Sequence, residues 1–178
     1  MYLIIILLST SLIFCQSIPY FDGSLAFLYL EKQCEFGPRY PGSDGHKKTA
    51  EFFEEYLISR THALEVMREK IKHPYNDEPL ELINLLARYY PKRQNRILLM
   101  AHWDTREVAD KDPLETNQSK PILGANDGAS GIAVLMVLAQ ILMENELNNI
   151  GVDILFVDGE DMGKSGDPEK FGLGTLEF

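Results

Sequence analysis

The chain has 178 residues, a length that suits one domain with a sizeable hydrophobic core. Hydrophobic residues make up 45% of it, which is ordinary for a globular protein and indicates neither disorder nor a bundle of membrane helices. The 27 acidic residues outnumber the 17 basic residues and give a net charge of −10, which argues against a protein that binds nucleic acid through a basic face.

Residues 1–17 are interpreted as a signal peptide, so the folded domain is expected over residues 18–178. The run Leu3–Phe14 is mostly apolar, about as long as the hydrophobic part of a signal peptide and too short to span a bilayer. Cys15–Ser17 offers a cleavage site, and lipidation of Cys15 is the alternative, although no Lys or Arg precedes the apolar run. We therefore expect an exported protein that is periplasmic, secreted or held at the membrane only by a lipid anchor.

The next part of the chain predicts two helices joined by a rigid loop. Asp22 can cap a helix that ends at about Glu35. The loop Phe36–Ser43 contains two prolines and two glycines, which restrict its backbone. Ser43 or Asp44 can cap the second helix. The apolar side chains of this second helix recur at helical spacing and predict a buried stripe: Ala50, Phe53, Tyr56 and Leu57.

The middle of the chain predicts strands. His62–Lys72 fits an edge strand, and the periodicity of Leu80–Tyr89 fits either a strand or a helix. Arg96–Ala101 is a short apolar run, which is typical of a central strand buried on both faces.

A long polar loop then leads to a helix, Ala129–Asn145, and to a further apolar strand, Val152–Val157. A strand, a helix and a strand in this order predict a crossover unit in which the two strands are parallel.

Polar side chains follow both strands of this unit. His102 and Asp104 come after the first strand, Asp127 precedes the helix, and Glu160 and Asp161 come after the second strand. Ligands bind at the carboxyl ends of parallel strands, and histidine nitrogen and carboxylate oxygen are donors that zinc accepts. Each residue alone has a plainer interpretation, namely a helix cap, a solvated turn or a structural histidine. Their coincidence at one sheet edge predicts a zinc site.

Four segments carry a family resemblance: Phe36–Ser43, Ala101–Arg106, Pro121–Gly131 and Asp158–Gly166. Together they resemble the glutaminyl-peptide cyclotransferases of bacterial type. The wider kinship is with the zinc aminopeptidases and carboxypeptidase-like metallopeptidases. The resemblance implies a three-layer αβα fold of phosphorylase/hydrolase-like type, with a mostly parallel mixed sheet.

The resemblance also implies roles for the site residues. Asp127 and Asp161 correspond to zinc ligands, and Glu160 matches the general acid/base, although the adjacent acids could exchange roles. His102 corresponds to a ligand only where a second metal is bound, and Asp104 then orients His102. One zinc ion is implied for a cyclotransferase and two for an aminopeptidase.

The implied function is conversion of the N-terminal glutamine of a peptide or protein to pyroglutamate, with release of ammonia. Two alternatives stay open: a zinc aminopeptidase, and a catalytically impaired fragment or binding module. The family continues beyond Phe178 with another strand, a further acidic residue and a zinc-binding histidine. Residues 18–178 are therefore expected to be the N-terminal part of a catalytic domain, with weak zinc binding and slow or absent turnover alone.

Overall fold

The computed structural model describes residues 18–176, so the predicted signal peptide lies outside the described residues. Two helices come first, and three strands, a third helix and a fourth strand follow. The helices are α1 (Gly23–Glu35), α2 (Asp44–Ile58) and α3 (Ser130–Glu144). The strands are β1 (Ala63–Lys72), β2 (Pro79–Tyr89), β3 (Arg96–His102) and β4 (Gly151–Val157).

The first two helices begin at the residues that the sequence predicts. The Asp22 carboxylate accepts hydrogen bonds from the main-chain N–H groups of Ser24 and Leu25, and the Ser43 hydroxyl accepts one from His46. Such caps satisfy N–H groups that have no partner inside the helix. The cap of α2 also fixes the end of the loop Phe36–Ser43, which packs beneath the candidate site.

The four strands form one mixed sheet in the order β1-β2-β4-β3. β3 and β4 are parallel, as predicted for the crossover unit, and the α/β class with a mixed sheet is confirmed. The pairs β1/β2 and β2/β4 are antiparallel, so the described part of the sheet is not mostly parallel. The short connections from β1 to β2 and from β2 to β3 reverse the chain, because only a long crossover can join parallel neighbours.

The main hydrophobic core lies on one face of the sheet. Helices α2 and α3 pack there against β2 and β4, and Tyr29 of α1 joins them through an edge-on contact with Tyr56. The opposite face carries a smaller cluster of Leu86, Leu155 and Val157. Within residues 18–176 no helix joins this second cluster, so the described elements supply two layers of the predicted three-layer arrangement.

The prediction that β3 is a central strand is wrong for the described sheet. β3 lies at the edge, because β4 inserts between β2 and β3. The side chains of Ile97, Leu98 and Met100 are 44–50% exposed. An apolar run indicates that a strand is buried, but it does not identify the elements that pack against the strand.

Substitution of Phe53 tests the assignment of the core. The Phe53 ring is fully buried and contacts the rings of Phe156 and Trp103 edge-on. We expect Phe53→Ala to lower the free energy of unfolding by about 3–5 kcal/mol, because it leaves a cavity in the core. The control is Ile58→Ala in the same helix, where the side chain is 71% exposed, and it should change stability by about 0.5 kcal/mol or less. Urea unfolding measures both, and equal losses would contradict this assignment.

Candidate active site

The predicted site residues come together at the carboxyl ends of β3 and β4. Parallel pairing places His102 beside Val157, so the turns that follow the two strands are neighbours. Nε2 of His102 lies 2.9 Å from Oδ1 of Asp127, and its Nδ1 lies 3.8 Å from Oε2 of Glu160. One imidazole therefore stands between an acid of the turn before α3 and an acid of the turn after β4.

The buried carboxylate of Asp104 joins the two turns. Its Oδ1 accepts a hydrogen bond from the main-chain N–H of Glu160 at 3.1 Å, and its Oδ2 accepts one from Asp161 at 2.9 Å. Oδ1 also lies 3.3 Å from Nδ1 of His102, the partner that the sequence anticipates for it. The bonds to the β4 turn are a finding of the structure, and they hold the backbone that carries both acids.

Asp127 lies in an irregular turn, Ala125–Ala129, where its φ and ψ angles of −92° and 111° depart from helical geometry. No side chain caps α3, so the plainer interpretation of Asp127 as a helix cap is not supported. Gly128 follows with a φ of +93°, and a Cβ there would come within 2.7 Å of the Asp104 carbonyl oxygen. Glycine permits both this angle and this contact. The Asp127 side chain that precedes it is 75% exposed.

A buried pair supports the turn that carries Glu160 and Asp161. Nε2 of His46 lies 2.7 Å from Oδ2 of Asp158, and the His46 ring stacks on Trp103. The Asp158 carboxylate also accepts hydrogen bonds from the main-chain N–H groups of Ile83 and Gly159. Burial raises the pKa of the Asp158 carboxyl group despite its contact with His46. Sequence reasoning gave His46 no role, because nothing local relates it to a residue 112 positions away.

Arg106 is a further residue whose part the sequence did not assign. Its Nε donates to Oδ1 of Asp161 at 3.0 Å, and its Nη1 donates to Oδ1 of Asp110 at 2.9 Å. Oδ2 of Asp110 accepts a hydrogen bond from the main-chain N–H of Ser165. Arg106 thus offsets part of the negative charge of Asp161 and ties the long polar loop to the segment that follows the acids.

Burial and crowding shift the pKa values of the three central groups. Burial raises the pKa of Asp161 to about 6, and it also raises the pKa of Glu160, although His102 acts in the opposite direction. Burial lowers the pKa of His102, but its contacts with Asp104, Glu160 and Asp127 outweigh this effect and raise that pKa to about 9. The carboxylates at the site repel one another, and a cation among them would reduce this repulsion.

The donor atoms at this edge fit zinc in kind. Histidine nitrogen and carboxylate oxygen are its usual partners alongside cysteine sulfur. Among residues 18–176, however, no group of three or more His, Cys, Asp or Glu side chains is arranged to hold a metal ion. The described residues therefore offer donor atoms of the right kind without a closed set of ligands.

Comparison with known proteins relates the chain to metallopeptidases. The model of peptidase family M28 matches residues 84–167, which include His102, Asp104, Asp127, Glu160 and Asp161 but not His46. The glutaminyl-peptide cyclotransferase-like protein of Bos taurus is 26% identical over 138 residues, which are 74% of this chain and 34% of the relative. The segment matched by the family model thus includes the three turns that form the candidate site.

Solved structures give the same result for the fold. The glutaminyl cyclase of Tannerella forsythia has a TM-score of 0.83 and 34% identity, over 90% of this chain and 56% of that one. A zinc-dependent exopeptidase from Parabacteroides distasonis has a TM-score of 0.84 and 31% identity, with the same coverage. The chain thus spans little more than half the length of these structures.

The fold is similar to that of a zinc-dependent exopeptidase, and part of the chain matches the model of peptidase family M28. More particularly, the chain resembles glutaminyl cyclases, and the resemblance predicted from its motifs is confirmed.

Substitution of Asp104 tests its bridging role. In Asp104→Asn the amide nitrogen cannot accept a hydrogen bond, so one of the N–H groups of Glu160 and Asp161 loses its partner. We expect a loss of about 1–3 kcal/mol in the free energy of unfolding and faster hydrogen exchange at these two amides. Asp77→Asn, at an exposed turn position with a φ of 58°, is the control and should change neither. Unchanged exchange at both amides in Asp104→Asn would refute the role.

Proposed function

We propose that the protein acts as a zinc-dependent glutaminyl-peptide cyclotransferase, which converts the N-terminal glutamine of a peptide or protein to pyroglutamate and releases ammonia. The observation that carries this proposal is the contact of His102 with both Asp127 and Glu160 at the carboxyl edge of β3 and β4, where Asp104 holds the main-chain N–H of the adjacent Asp161. The relation to solved glutaminyl cyclases at 34% identity supports the choice of reaction.

Asp127 and Asp161 are the residues that would hold zinc, whose chemistry when bound is polarisation of the γ-amide carbonyl of the substrate glutamine. Glu160 lies next to Asp161, and its side chain is 43% exposed, so a substrate amine can reach its carboxylate. Glu160 takes a proton from the α-amine as the nitrogen forms a bond to the carbon of the γ-amide carbonyl. It then gives that proton to the amide nitrogen as the C–N bond breaks and ammonia departs.

Neighbouring residues keep the two adjacent acids in different roles. Asp104 binds the main-chain N–H groups of both residues, which fixes the turn and lets the two side chains diverge. Arg106 binds Asp161 from the side of the long loop. Glu160 faces His102 at 3.8 Å and is left to exchange protons. This arrangement supports Asp161 as the ligand and Glu160 as the proton carrier.

A zinc aminopeptidase is the second candidate. The observation that favours it is the 2.9 Å contact between Nε2 of His102 and Asp127, because this imidazole would be a ligand of a second metal ion. The similar zinc-dependent exopeptidase of Parabacteroides distasonis supports the same reading. Glu160 would then take a proton from water instead of an amine. A binding module without turnover is less well supported, since Asp127, Glu160 and Asp161 are all present.

We also propose that the protein is exported and meets its peptide substrates outside the cytoplasm. The support is the apolar run Leu3–Phe14 followed by Cys15–Ser17 in the sequence. Cleavage after Ser17 would release the domain, whereas lipidation of Cys15 would anchor it to a membrane.

Product analysis of the full-length protein separates the two enzyme functions. A cyclotransferase releases ammonia from a peptide that begins with glutamine, and we expect about one zinc ion per chain. A chelator should abolish the reaction, and added zinc should restore it. Release of free amino acids with about two zinc ions per chain would instead support the aminopeptidase. A protein that binds zinc and peptide but forms neither product would be a binding module.

Substitution of Glu160 tests the proton carrier. We expect Glu160→Gln to lower kcat by about 10²- to 10⁴-fold, because an amide cannot accept and return the proton. Zinc content and thermal stability should stay close to those of the wild type, since the side chain is not a proposed ligand. Glu169→Gln, at an exposed position a few residues away, is the matched control and should leave kcat unchanged. A zinc-depleted Glu160→Gln protein would show that the two adjacent acids have exchanged roles.

A further inference from the structure

Arg39 is fully buried in the loop between α1 and α2. Its guanidinium donates hydrogen bonds to four main-chain carbonyl oxygens, which belong to three separate segments. Nε binds Trp103 at 3.0 Å, Nη2 binds Gly124 at 2.9 Å, and Nη1 binds Leu123 at 3.0 Å and Gln33 at 3.4 Å. One side chain therefore joins the end of α1 to both of the loops that approach the candidate site.

The residues that Arg39 binds are close in sequence to the site residues. Trp103 lies between His102 and Asp104, and Gly124 lies three positions before Asp127. The main-chain N–H of Arg39 also donates to Oγ1 of Thr105 at 2.7 Å. The guanidinium thus spans the gap between the segment that follows β3 and the turn that precedes α3.

The fit around this guanidinium is tight. Gly124 has a φ of +63°, and a Cβ there would come within 3.2 Å of Nη2 of Arg39 and 2.3 Å of Cγ2 of Thr105. The loop backbone therefore lies close to the guanidinium group. A lysine could not replace this contact, because its single ammonium group lacks the planar fork of five N–H donors.

Burial of such a charge is costly for the fold. Burial lowers the pKa of the Arg39 guanidinium, and the charge of nearby Asp104 is among the influences that oppose this shift. Arg96 is a useful contrast at the opposite end of β3. It also binds main-chain carbonyls, those of Tyr89 and Val152, but it has the Asp153 carboxylate as a direct partner. The structure therefore has one arginine that secures each end of β3, and only Arg39 lies at the site.

We propose that Arg39 is a positioning residue of the candidate active site: its guanidinium sets the spacing between the His102–Asp104 segment and the Asp127 turn. Arg39 does not act on substrate itself. The effect on catalysis rests on the proposed function, whereas the spacing is a property of the chain without metal.

The experiment compares Arg39→Ala and Arg39→Lys with the control Arg96→Ala in the full-length protein. The first readout is the ring ¹⁵N spectrum of histidine, to which residues 1–178 contribute four histidines. The His102 ring contacts Asp127 across the two segments, so its signal reports their spacing in metal-free protein. We expect it to shift or broaden in both Arg39 variants and to stay unchanged in Arg96→Ala.

The second readout is the zinc dissociation constant, measured by competition with a chromophoric chelator. We expect it to rise about 10- to 100-fold in Arg39→Ala, as for other residues that orient metal ligands. Methylguanidinium added to Arg39→Ala should restore the His102 signal and part of the zinc affinity, because it can occupy the vacated space. Methylguanidinium should change neither the His102 signal nor the zinc affinity of Arg96→Ala, although both variants are expected to lower the Tm.

The outcomes distinguish this inference from the proposed function. If Arg39→Ala and Arg96→Ala lose similar Tm and show the same His102 signal and zinc affinity, the positioning role is overturned. If Arg39→Ala does not fold, Arg39→Lys decides, and a wild-type His102 signal in that variant overturns the proposal. If the wild type releases no ammonia while the Arg39 variants displace the His102 signal, the proposed function fails and the positioning role stands.

Discussion

The parallel pairing of β3 with β4 is the constraint on which the candidate site depends. It brings His102 beside Val157, and the turns that follow can then exchange hydrogen bonds. Helix α3 makes this pairing feasible, because parallel neighbours need a long crossover, and the same crossover delivers Asp127 at its start. The site is thus a consequence of topology: three turns that are distant in sequence end at one edge.

Buried polar groups beneath that edge then fix its geometry. Asp104, Asp158 and Arg39 are each fully buried, and each binds main-chain groups of a site loop. Isolated buried charges destabilise a fold, so these groups persist because their hydrogen bonds are satisfied and loss of any partner would be costly. Their arrangement leaves the side chains of Asp127 and Glu160 75% and 43% exposed.

Local patterns account for the parts of the fold that sequence reasoning predicted well. Asp22 and Ser43 cap their helices, and the predicted limits of α3 agree with the structure to within one residue at each end. Caps and helical periodicity depend on residues a few positions apart, so they can be read directly. The position of β3 could not be predicted in this way, because its place at the edge of the sheet depends on where β4 inserts.

The sequence by itself determined which chemical groups belong to the candidate site: acidic residues and a histidine in the turns of a crossover unit, in motifs that resemble the glutaminyl cyclases. Only the tertiary structure decided which groups hold them in place. His46 reaches Asp158, and Arg39 reaches Trp103 and Gly124, across 64 to 112 positions of chain. Such contacts leave no local signal, because they arise from packing between segments that meet only when the sheet has formed.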